Sequence, residues 1–79
     1  MEWLKMLNKL TEILGRYTNV KNVTVTEDTL ILRDLGLNSY ALTEMANDVE
    51  DEFGIEFSDS ALMQIKTVGD VLRYIEANR

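Results

Sequence analysis

The sequence contains no cysteine and no histidine. That excludes thiol nucleophiles, Ser–His and Cys–His pairs and the customary His or Cys zinc ligands, and with them most hydrolase chemistries. A disulfide is equally impossible in this 79-residue chain, so helix packing must supply nearly all of its stability. Long apolar runs are missing too. No stretch is long enough to cross a bilayer, and Met1-Glu2-Trp3-Leu4-Lys5 lacks the basic-then-apolar order of a secretory leader. A cytoplasmic protein is expected, which makes the glycosylation sequon at Asn22-Val23-Thr24 a chance match.

Positive charge is scarce where negative charge is dense. No basic residue lies between Arg33 and Lys66, while Asp34, Glu44, Asp48, Glu50, Asp51, Glu52, Glu56 and Asp59 all do, and the formal net charge is −6. Such a surface repels phosphate backbones and anionic lipid, so nucleic acid and membrane are poor partners. A basic patch on another protein is the natural complement, although simple solvation of a small domain accounts for the same acids.

What is present is 46% apolar residues, enough for one core in a single domain over 1–79 but not for a deep enclosed cleft. Trp3, Met6, Leu7, Leu10, Ile13, Leu14 and Tyr17 recur at three and four residues and predict a first helix from about Glu2 to Gly15. From Arg16 to Leu37 there is no helical period. The segment holds Val20, Val23, Val25, Leu30, Ile31, Leu32 and Leu35, too many apolar residues for a free linker, and is expected to be a long loop pinned to the core. A short helical turn is expected around Asp28 to Leu32, and the Val23-Thr24-Val25-Thr26 alternation has no partner strand.

A second helix is predicted over Ser39–Phe53 and ended by Gly54, with Leu42, Met45, Ala46, Val49 and Phe53 on its apolar stripe. Asn38 is the expected N-cap. That choice places Leu37 before the cap and Leu42 at the fourth helical position, the pairing of a hydrophobic staple, whereas capping by Ser39 pairs Asn38 with Thr43 and forms none. A short helix is predicted over Asp59–Gln64. A last helix opens with the capping pattern Thr67-Val68-Gly69-Asp70 and carries Val68, Val71, Leu72 and Ile75. Three amphipathic helices and a shorter one make an all-α, small four-helix bundle with a long first loop.

Capping by Asn38 leaves the Ser39 hydroxyl free at the first helical turn. There it sits near unpaired backbone amides and the positive end of the helix dipole, where a phosphate ester is electrostatically favoured. Without a base to activate it, this serine suits modification by another enzyme and not catalysis of its own.

Leu30, Asp34-Leu35-Gly36-Leu37, Ser39, Glu44 and Glu50-Asp51-Glu52-Phe53-Gly54-Ile55 stand in register with Asp59, Ile65, Thr67, Val68, Asp70, Val71, Tyr74 and Ile75. In this the chain resembles the acyl carrier protein family. The resemblance implies a monomeric non-enzyme that bears phosphopantetheine on Ser39, taken from coenzyme A by a phosphopantetheinyl transferase. The arm supplies the thiol that the sequence lacks, and acyl or aminoacyl groups travel on it as thioesters to fatty-acid, polyketide or related biosynthetic enzymes. Glu44, Asp48 and Asp51, at i, i+4 and i+7, share one face of the second helix. By the same resemblance they are the candidates for docking basic patches on those partners, with Glu50 and Glu52 to either side.

The chain departs from the family pattern at Asn38-Ser39-Tyr40, where Asp-Ser-Leu is common, and at Ala41 and Asn47. These departures point to a specialised carrier for polyketide, peptide or modified-lipid assembly. Two other readings compete. Asp48, Glu50, Glu52 and Asp59 fit some positions of a twelve-residue calcium loop, but Phe53 occupies the place of its obligatory glycine. A carrier-like adaptor that binds partners through the acidic second helix is the stronger rival.

Overall fold

A computed structural model describes residues 3–21 and 24–79. It contains α1 (Trp3–Gly15), α2 (Ser39–Phe53), α3 (Asp59–Gln64) and α4 (Val68–Asn78), and no strand among the described residues. The fold is an all-α bundle, as the periodicities predict. Glu2, the expected start of the first helix, and Asn22 and Val23 of the sequon lie outside the described residues.

The apolar stripes meet where their spacing requires. Met6, Leu10, Ile13 and Leu14 of α1, Leu42, Met45, Ala46 and Val49 of α2, and Val68, Val71, Leu72 and Ile75 of α4 are buried together. Full burial of a side chain of this size stabilises by about 1.5–3 kcal/mol. α1 packs against both α2 and α4. The short α3 buries no residue completely and leans on the core through Leu62. Its Ser58 cap accepts from the Ala61 amide at 3.0 Å.

Gly54 ends α2 as expected. It takes a left-handed conformation (φ 67°) and donates its amide to the Glu50 carbonyl at 2.9 Å, a backbone state that residues with a Cβ rarely adopt. Glu50 then reaches forward and accepts the Phe57 amide at 2.7 Å. Phe57 stacks on Tyr74 with ring centroids 4.6 Å apart, and the Tyr74 hydroxyl donates to the Glu56 carbonyl. The α2–α3 connection is thereby fastened to α4.

The long first loop is held from both sides. Ile31, Leu35 and Leu37 are buried in the core. Leu30 and Thr67 form an isolated antiparallel bridge, flanked by bonds from Ile31 N to Lys66 O at 3.0 Å and from Val68 N to Thr29 O at 2.9 Å. The backbone groups of Thr29 and Ile31 thus find partners at the start of α4 without forming a sheet.

The helical turn in this loop lies two residues later than expected. It spans Leu30–Asp34, not Asp28–Leu32, and is closed by the Asp34 amide donating to the Leu30 carbonyl at 2.8 Å. The cause is Asp34, whose Oδ2 accepts the Leu30 amide at 2.9 Å and caps the turn. Gly36 follows at φ 70° and lets the chain reverse between buried Leu35 and Leu37. That reversal delivers Asn38 and Ser39 to the surface.

Candidate functional site

Asn38 adopts extended geometry (φ −92°, ψ 177°), and its Oδ1 accepts the Ala41 amide at 2.7 Å. Its carbonyl accepts the first intrahelical bond, from Leu42 N at 2.9 Å. Leu37 and Leu42 are both buried, on either side of the cap, as a hydrophobic staple requires. Ser39 is therefore the first residue of α2, as its sequence context predicts.

The Ser39 side chain is exposed, and its hydroxyl makes no hydrogen bond among the described residues; only its carbonyl is engaged, accepting from Thr43 Oγ1 at 3.1 Å. The oxygen is free to form an ester. It also opens onto a groove of about 440 Å³ between α2 and α3, whose apolar wall is Leu32, Leu42, Leu62, Met63 and Ile65. Met63 is 84% exposed at one edge, and Tyr40 is 74% exposed beside the serine. Asp59 lines the same groove, but no hydrogen bond joins it to Ser39. A free hydroxyl at a helix N-terminus, next to a shallow apolar trough, fits a phosphodiester-linked chain.

The acidic residues of α2 separate into different surroundings. At 100° per residue, Tyr40, Glu44, Asn47 and Asp51 form the ridge opposite the buried stripe. Asp51 is exposed. Glu44 is half-buried and accepts from the Tyr40 hydroxyl at 3.2 Å and from Asn47 Nδ2 at 3.5 Å. Asp48 turns toward the end of α1, where its Oδ2 accepts from the Tyr17 hydroxyl and lies 3.3 Å from Arg16 Nη1. Glu52 faces Lys9 at 3.9 Å. Asp48, Glu50 and Glu52 thus project from a regular helix toward three different neighbours, an arrangement no calcium loop can adopt.

Electrostatics follows these contacts. The hydrogen bond to the Asp48 carboxylate, with burial and the nearby negative charge, holds the Tyr17 hydroxyl protonated and raises its pKa to about 12. At the start of α4, Asp70 accepts backbone amides from Thr67 at 3.0 Å and Lys66 at 2.9 Å, while Thr67 Oγ1 accepts the Asp70 amide in return. The Thr67 amide, aided by Lys66 and Arg73, lowers the Asp70 carboxyl to about 2. Sequence reasoning found this capping box and missed the Tyr17 and Arg16 contacts to Asp48. Nothing in the local pattern signals a bond across 31 residues.

Comparison with known proteins points one way. Residues 8–75 match the family model described as "phosphopantetheine attachment site". The chain is 42% identical to the acyl carrier protein of Coprothermobacter proteolyticus over 99% of its length and 95% of the relative's. With the acyl carrier protein of Thermotoga maritima the identity is 36%, over 91% and 89%. The structure of the Enterococcus faecalis acyl carrier protein superposes with a TM-score of 0.82 at 33% identity, covering both chains completely.

Proposed function

The chain belongs to the phosphopantetheine-attachment family of acyl carrier proteins, and from that premise we propose that the Ser39 hydroxyl is the attachment point. The family's members are carriers and not catalysts, and the prosthetic group is a covalently bound phosphopantetheine. The observation that carries the assignment is the exposed Ser39 hydroxyl at the first position of α2, without a hydrogen-bond partner among the described residues and beside the apolar groove.

In the loading reaction Ser39 Oγ forms a bond to the pantetheine-bearing phosphorus of coenzyme A. The pyrophosphate linkage breaks and adenosine bisphosphate leaves. The hydroxyl proton passes to a base of the transferase, because the chain has no histidine to take it. Once attached, the group supplies a terminal thiol that holds an acyl or aminoacyl cargo as a thioester. The chain's own part is positional. Asn38 fixes the first turn of α2, the helix dipole favours the phosphodiester, and the groove offers apolar cover to whatever lies along it. Tethering raises the local concentration of cargo at each partner.

Recognition by transferase and biosynthetic enzymes with basic patches falls to the outward ridge of α2. Glu44 and Asp51 present charge there directly, and Asp48 contributes from the flank while it braces α1. No helix among the described residues is long and apolar enough to cross a membrane. The whole of 1–79 acts as one monomeric carrier domain in the cytoplasm, serving fatty-acid, polyketide or related assembly. The exposed Tyr40 beside the serine, with Ala41 and Asn47, supports a specialised role in it.

Incubation with coenzyme A, magnesium and a promiscuous phosphopantetheinyl transferase, followed by intact mass measurement, tests the assignment. One arm's mass should be gained by the native protein and none by Ser39→Ala. Failure of several transferases to modify the native protein would favour the unmodified adaptor, and modification of Ser39→Ala would move the site elsewhere.

A further inference from the structure

Arg33 and Lys66 bracket the long stretch without a basic residue, and the Leu30–Thr67 bridge brings them to one surface. Together with Leu30, Leu32 and Ile65 they line a depression of about 280 Å³ that has no acidic residue among its described lining. Neither side chain forms an ion pair among the described residues, although the chain carries a net charge of −6; Lys9, Arg16 and Arg73, by contrast, are each matched with an acid. One unpaired surface cation in water is ordinary. Two of them above an apolar floor have a definite complement, an anion at the end of an apolar chain.

Leu32 and Ile65 also line the groove that begins at Ser39. A single apolar surface therefore joins the attachment hydroxyl to the two cations. Asp59 stands in the Ser39 part of this surface and repels an anion that stops short, whereas Arg33 and Lys66 attract one that goes further. Building on the assignment of Ser39 as the attachment site, we propose that Arg33 and Lys66 form a subsite for the free carboxylate of an arm-borne acyl group that ends in an acid.

Exposed cations attract weakly, by a few-fold each. That is too little to capture a free acid from solution but enough for a tethered one, whose effective concentration reaches the millimolar range. A neutral acyl group of the same length gains nothing from the two charges and keeps only the apolar contact. The cation pair thus distinguishes acid-terminated from hydrocarbon-terminated cargo.

The test compares three forms made from the full chain by transferase loading, each verified by intact mass: the arm alone, the arm with a heptanoyl group, and the arm with the carboxyl-terminated analogue of the same length. In nitrogen–proton NMR spectra, the amide signals of Arg33 and Lys66 should move only in the carboxyl-terminated form. The movement should shrink in high salt and vanish in Arg33→Gln/Lys66→Gln, while shifts at Leu42 and Leu62 persist in that variant and report an intact fold. Hydroxylamine should cleave the carboxyl-terminated thioester a few-fold more slowly in the native protein than in the double variant.

Equal movement with both acyl groups would reduce the site to apolar contact and overturn the proposal. Movement with the arm alone would assign the cations to the phosphodiester, and movement only on adding a partner enzyme would assign them to an acidic segment of that partner; either result overturns the cargo subsite. A loaded mass without any movement refutes this inference alone, whereas failure to load refutes the carrier reading with it.

Discussion

The Tyr17 hydroxyl donates to Asp48 Oδ2 and ties the residues just after α1 to the middle of α2. Arg16 approaches the same oxygen at 3.3 Å. One carboxylate of the acidic helix is therefore part of the scaffold, and the solvent-facing charge shifts toward Glu44 and Asp51.

Removing the hydroxyl in Tyr17→Phe should destabilise the fold by about 1–2 kcal/mol, the worth of a partly exposed bond to a charged acceptor. The pKa is raised in the folded state, so the contribution is full below pH 10 and is lost as pH rises through about 12. A tyrosinate absorbance step near pH 12 should be present in the native protein and missing from Tyr17→Phe. Urea unfolding at neutral pH gives the stability difference, and an unchanged midpoint would contradict the brace.

Asp70 bears on the opposite end of the pH scale. Its carboxyl is depressed from 3.8 to about 2 in the folded state, so its stabilisation is present above about pH 4 and disappears as pH falls through 2. The side chain is about one-third exposed, and solvent screening reduces the full linkage value. Asp70→Ala should cost about 1–2 kcal/mol at neutral pH and much less near pH 2. Thermal unfolding of both proteins across that range checks the convergence.

Charge reversal separates recognition from bracing. Glu44→Lys and Asp51→Lys should each slow association with a basic transferase, on the order of tenfold at low ionic strength, with the effect fading as salt rises. Asp48→Asn should lower stability more than it alters association. Stopped-flow or surface-binding kinetics at two salt concentrations decide the first claim, and an unchanged low-salt rate in Asp51→Lys would remove the outward ridge as the docking face.

The parts of this fold that depend on near neighbours are legible in the sequence. The cap at Asn38, its staple from Leu37 to Leu42, the stop at Gly54 and the capping box of Thr67 and Asp70 all concern residues within a turn or two, where spacing fixes geometry. The loop is different. Asp34 caps a turn whose position depends on pairing between Leu30 and Thr67, and the short-range pattern placed that turn two residues too early. The same limit hides the pull of Tyr17 on Asp48 and the meeting of Arg33 with Lys66. Helical periodicity puts Glu44, Asp48 and Asp51 on one face, but only α1 packing shows that the middle one is engaged.

The position of the modification is the central claim, and fragment mass spectrometry measures it most directly. Trypsin should release Asp34 to Lys66 as one peptide, because no lysine or arginine lies between Arg33 and Lys66. That peptide contains Ser39, Tyr40, Thr43, Ser58 and Ser60 as candidate hydroxyls. In protein produced alongside an active transferase, fragmentation should place the whole phosphopantetheine increment on Ser39. An unmodified peptide, or an increment on any of the other four hydroxyls, would contradict the account.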